Sequence, residues 1–207
     1  MTGVQTCGLP ISGNRLIRVK GGIIGPCDPR PGSLKTKNRG DYPDVSRAHL
    51  DAAEIYADER LAGGIPLCDE SIALICHLFT EEEALLVRHL KPGAPLTASA
   101  LAEAEHRSIE EVKESLRVLS EEKNILVRLG EGDAALYLTV PILPGVFELT
   151  MARRSVDTLT DWHRRFCELF ETLFETGYTT GYNPATPPPI KYLTVGKIVK
   201  SNPCAMP

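Results

Sequence analysis

Ile109, Val112, Leu116 and Leu119 recur at intervals of three and four residues, which puts them on one face of a helix over 108–123 and leaves Glu and Lys for the other. Immediately upstream, Thr97 precedes an alanine-rich run that predicts a shorter helix over 97–105, with the threonine hydroxyl as its cap. Strand-like runs at 125–128 and 135–139 follow, separated by the turn sequence Gly130-Glu131-Gly132-Asp133. Two short helices and then a hairpin is the order of a winged helix-turn-helix. Ser108 with Glu111 predicts a capping box on the long helix, and Asn124 takes the position that ends it.

The same pattern continues on both sides. A helix starts after Asp44 or Ser46 and runs through Ala52, Ile55 and Leu61 to Gly63-Gly64. Ile72, Leu74, Ile75 and Leu78, with Phe79, form the next apolar face. Thr80 and Glu83 then predict a capping box opening a helix over 81–90, closed by Lys91-Pro92-Gly93. Downstream, the apolar connector Val140-Pro141-Ile142-Leu143-Pro144-Gly145 sets up a helix from Val146. Thr158 or Thr160 caps the last long helix, whose Leu159, Trp162, Phe166, Leu169, Phe170, Leu173 and Phe174 make a broad aromatic stripe ending at Gly177. Residues 178–189 read as irregular, and 190–199 as a strand.

The expected fold is therefore mainly α: a winged helix-turn-helix with a small antiparallel β wing, followed by a helical segment. The expected divisions are a doubtful or disordered leader at 1–42, an N-terminal helix and linker at 43–68, the winged helix-turn-helix at 69–140, and a helical connector at 141–207. Residues 1–11 resemble the translation of a sequencing-library adapter and are set aside from the fold.

Charge alters what the motif implies. The chain of 207 residues carries a net charge of −4, but residues 1–40 hold seven basic side chains against Asp28 alone. The body is therefore acidic. The second helix of the motif, which would enter a major groove, carries Glu110, Glu111, Glu114, Glu121 and Glu122 against Lys113, Arg117 and Lys123. DNA affinity comes largely from Lys and Arg neutralising phosphates, so the motif predicts a fold better than it predicts a ligand. Arg107, Lys113, Arg117 and Arg128 are the candidate DNA contacts, opposed by Glu131 and Asp133 at the wing tip. Trp162, Phe166, Phe170 and Phe174 are a candidate core or dimer interface.

Catalytic and metal chemistry find little support. Six cysteines are scattered without a C-x-x-C pair, which fits reduced thiols in a cytoplasmic chain. Cys76 and Cys167 read as small buried apolar residues. Ser99, His106 and Asp133 lack a nucleophile elbow, the Cys76-His77 neighbours point about 100° apart on a helix, and His163 reads as a surface residue. No catalytic, cofactor-binding or metal-binding residue is assigned. No run approaches the roughly 20 apolar residues that span a bilayer.

Residues 78–207 nevertheless resemble a family of bacterial and archaeal ferredoxin-type proteins. The resemblance rests on F-T-E-E-E-A-L-L-V-R-H-L at 79–90, the helix-turn-helix, P-I-L-P-G-V-F-E-L at 141–149, the aromatic helix, and Y-L-T-V-G-K-I-V-K-S-N-P-C-A-M-P at 192–207. In that family a winged-helix module precedes a region binding 4Fe-4S clusters through closely spaced cysteines. The resemblance implies that this sequence stops before those cysteines, and no ligand role passes to Cys204. It also implies that the chain is a docking or regulatory fragment of an iron-sulfur electron carrier, with the clusters in the full-length parent. Expected partners are the missing C-terminal iron-sulfur region, a redox protein and a second copy of the chain. The alternative is a DNA-binding transcription regulator that dimerises through the aromatic helix.

Overall fold

Four of the predicted helices are opened by the hydroxyl side chain that marks them in the sequence. In the computed structural model, which describes residues 17–19, 22–24, 34–152 and 154–178, Ser46 caps α1 (Arg47–Tyr56) by accepting from the amide of His49. Helix α2 (Asp69–Leu78) starts at an unexpected cap. The Cys68 sulfur accepts from the amide of Ser71 at 3.3 Å, and the Ser71 hydroxyl accepts from the amide of Cys68 at 3.0 Å. Thr80 and Glu83 form the reciprocal box on α3 (Glu81–Val87), with the Thr80 amide 2.7 Å from Glu83 Oε2. Thr97 opens α4 (Ala98–Glu105), and Ser108 opens α5 (Ile109–Arg117). Here Ser108 accepts from the amide of Glu111 at 3.3 Å, one half of the expected box.

Several boundaries shift: α3 ends at Val87, short of the expected 90, and the wing strands are shorter or displaced by a residue or two. Helix α1 ends at Tyr56, and residues 57–63 turn back so that the Ile65 amide donates to Tyr56 O at 2.9 Å. That return places Gly64 at φ +70°, where an added Cβ would lie 2.3 Å from the Ala57 carbonyl oxygen. Only glycine fits there. Helix α5 finishes in a wide turn over Val118–Glu122, with the Lys123 amide donating to Val118 O at 2.8 Å. Asn124 then adopts φ +56° and stops the helix.

The wing is an antiparallel hairpin of β4 (Val127–Leu129) and β5 (Leu136–Leu138), with Gly130 and Gly132 at positive φ in its turn. A third strand, β3 (Leu96–Thr97), pairs with β5 through Leu96↔Tyr137 and Thr97↔Leu136, giving the order β3-β5-β4. This two-residue strand ties the start of the helix-turn-helix to the wing. A separate hairpin, β1 (Ile17–Val19) and β2 (Gly22–Ile24), lies beside α2.

The connector leads through α6 (Phe147–Met151) to α7 (Asp161–Glu175), which Gly177 closes at φ +75°. Helix α7 packs along α2, α1 against α2 and α3, and α4 against α5. A single apolar core runs through all of these, including the fully buried Ile72, Leu78, Phe79, Leu86, Leu101, Leu116, Leu119 and Phe166. The winged helix-turn-helix and α7 thus share one interior. Apart from Tyr178, the expected segments at 178–189 and 190–199 lie outside the described residues. No described helix is long and apolar enough to cross a membrane.

Candidate functional site

The outer face of α5 and the wing is where a winged helix meets its ligand, and here its cations are already taken. Lys113 Nζ lies 2.6 Å from Asp133 Oδ1, joining the middle of α5 to the wing tip. Arg117 lies 2.7 Å from both Glu114 Oε1 and Glu122 Oε1. Arg128 lies 2.9 Å from Glu121 Oε1. Arg107 donates to the Glu82 carbonyl at 3.3 Å. All four candidate DNA contacts therefore have a partner within the chain.

The electrostatics follow from those pairs. The hydrogen bond from Lys113 holds the Asp133 carboxyl below the ordinary carboxylate range, and Arg117 does the same for Glu114. Arg117 in turn has its positive form favoured, first by Glu114 and then by Glu122. Exposed Glu110, Glu111 and Glu131 add further negative charge, so the face carries seven carboxylates against four cations. Exposed ion pairs are worth only about 0–1 kcal/mol each, so a polyanion could break them one at a time. The surplus of acids is what a duplex would still meet.

Lys123, which the sequence groups with the recognition helix, points the other way. Its ammonium donates to Glu83 Oε2 at 2.6 Å and to the Leu78 carbonyl at 3.1 Å, with the two side chains 17% and 9% exposed. Glu83 Oε2 therefore accepts from both the Thr80 amide and Lys123. One carboxylate fastens the end of α5 to the start of α3.

The aromatic stripe divides. Phe166 is wholly buried, Phe170 nearly so, Trp162 is half-buried, and Phe174 is 47% exposed. Trp162 and Phe166 stack at 5.9 Å, Phe166 and Phe170 pack at 6.1 Å, Phe170 and Phe174 stack at 6.1 Å, and Phe147 from α6 covers Phe170 at 4.3 Å. Phe166 and Phe170 are occupied within the chain, which leaves Phe174 and part of Trp162 as the exposed edge of the stripe.

The polar residues weighed for chemistry have structural roles. His106 turns the chain at φ +52° after α4, and Asp133 is held by Lys113, so Ser99, His106 and Asp133 are not joined. His77 Nε2 donates to the Trp162 carbonyl at 2.9 Å and its ring stacks on the indole at 5.1 Å. Burial holds His77 below the ordinary imidazole pKa, against the upward pull of the Trp162 carbonyl.

His163 corrects the sequence expectation of a surface residue, since it is buried at the start of α7. Its charged neighbours Arg164 and Arg165 obscured this. Its spacing three residues after Thr160, the capping-box interval, was the available signal. Cys68 is buried at the α2 cap, and burial pushes its thiol up to about 12. Among the described residues no group of three or more His, Cys, Asp or Glu side chains could hold a metal ion.

Comparison with protein-family models, curated proteins and solved structures found no match to the chain.

Proposed function

We propose that this chain is a docking or regulatory module of a ferredoxin-like iron-sulfur electron-transfer protein, working in the cytoplasm, in which the winged helix contacts protein rather than DNA. The observation that carries the second half is the α5 and wing face, where Lys113, Arg117 and Arg128 are each paired with a carboxylate, Arg107 donates to a backbone carbonyl, and acids remain in excess. The first half rests on the resemblance of the Pro-Gly-Val-Phe-Glu connector and the aromatic helix to that family.

A cubane cluster needs thiolates converging on one point. The described cysteines do not fit one, because Cys68 is engaged in the α2 cap and no described His, Cys, Asp and Glu set gathers at a metal position. In this reading the cluster ligands lie outside the described residues. The partners that go with this reading are that iron-sulfur region and a redox protein. A second copy of the chain could meet at the exposed edge of the aromatic stripe.

A winged-helix transcription regulator is the other reading, favoured by the placement of Arg107, Lys113, Arg117 and Arg128 on the motif. Sequencing the reading frame past codon 207 tests the choice. Four clustered cysteines, with visible charge-transfer absorbance in the longer protein purified without oxygen, support the electron-transfer reading. A frame without such cysteines overturns it.

A further inference from the structure

The first turn of α7 is closed by a hydrogen bond that requires one imidazole to be neutral. The Thr160 amide donates to His163 Nδ1 at 3.2 Å. An amide N–H can only donate, so Nδ1 must offer its lone pair and the ring proton sits on Nε2. Among the described residues that nitrogen is buried without a hydrogen-bond partner, in a residue only 5% exposed. The Thr160 hydroxyl, 2.8 Å from Nδ1, can reverse its role if the ring gains a proton. The amide cannot.

The surroundings oppose that proton. His163 lies in the first turn of a 15-residue helix, where the positive end of the helix dipole disfavours a cation. Arg154, from the connection between α6 and α7, adds a second positive charge. Burial and then Arg154 hold the His163 pKa below its ordinary value.

Trp162 connects this turn to the core. Its indole stacks on His77 of α2 at 5.1 Å and 22°, its carbonyl accepts from His77 Nε2, and its ring meets His163 edge-on at 5.1 Å. The charged groups facing His77 are Arg165 from α7, paired with Glu168 at 2.9 Å, and Lys123 from the end of α5, paired with Glu83; the third neighbour is His163. His77 sits in the last turn of α2, where a positive charge is tolerated, and its bond to the Trp162 carbonyl survives protonation. His163 is therefore the sensitive ring.

We propose that the start of α7 is a proton-operated latch: a solvent proton taken up at His163 Nδ1 removes the Thr160 amide bond and releases Trp162 from its seat on His77, while the remaining core stays folded. The neutral ring is stabilised in the folded state, so the contribution is present above the ordinary histidine value of 6.5 and lost as pH falls through the lowered one. The latch stands apart from the electron-transfer reading and does not depend on it.

Trp162 is the only tryptophan, so its emission reports the latch directly. In the full chain titrated from about pH 8 to about pH 5, the expected result is a reversible red shift centred below about 6.5, with far-UV circular dichroism retained. The His163 imidazole resonance titrates with the same midpoint in the unmodified protein. His163→Gln abolishes the shift, and His77→Gln retains it with a smaller amplitude. Constant emission over this range overturns the proposal, as does a shift that persists in His163→Gln, that departs from the His163 resonance, or that accompanies loss of the far-UV signal.

Discussion

Replacing Lys123 by methionine keeps the aliphatic stem and removes the charge that joins α5 to α3. Two hydrogen bonds are lost, one to Glu83 Oε2 at 2.6 Å and one to the Leu78 carbonyl at 3.1 Å. Stripping one partner from a fully buried ion pair costs roughly 3–5 kcal/mol, because the other charge is left without compensation. Here Glu83 keeps the Thr80 amide at 2.7 Å and lies at the positive end of α3, and Lys123 is 17% exposed. The expected cost therefore falls to about 2 kcal/mol. Urea unfolding measures it as a lower midpoint with an unchanged slope. Combined with Glu83→Gln in a double-mutant cycle, the pair should show a coupling of about 1–2 kcal/mol. A cost below about 0.5 kcal/mol for Lys123→Met would place the pair among ordinary exposed ion pairs and refute its role as a fastening between the two helices.

Two further outcomes follow from burial. Phe166→Ala should cost about 3–5 kcal/mol by opening a cavity between α7 and its neighbours, while Phe174→Ala should stay within about 0.5 kcal/mol; denaturant melts of the two variants separate them. The Cys68 thiol, pushed up to about 12 by burial, should resist thiol-directed reagents at neutral pH in the folded chain and react only on unfolding, which mass spectrometry of labelled peptides resolves.

Local signals made most of the helices legible. Helical spacing located α5 and α7, Thr80, Thr97 and Ser108 marked helix starts to within a residue, and the alternatives Asp44 or Ser46 and Thr158 or Thr160 each included the residue that opens the helix. Features set by distant partners were not legible. Strand β3 is two residues long and exists because β5, about forty positions later, supplies its hydrogen bonds. The Lys123–Glu83 pair also spans forty positions and removes Lys123 from the recognition face. Cys68 escaped notice because sulfur is a weak acceptor and an unusual cap. The candidate site was half visible. Its excess of acids is a matter of composition, whereas the pairing of Lys113 with Asp133 across the α5–wing gap depends on the folded hairpin.

The claim that this winged helix is not a DNA reader is tested most directly by fluorescence anisotropy with mixed-sequence and source-genome duplexes at low ionic strength. The acidic, internally paired face predicts no binding that responds to salt, and no difference between the unmodified chain and Arg117→Glu. Binding that weakens steeply as salt rises and disappears in Arg117→Glu would contradict it.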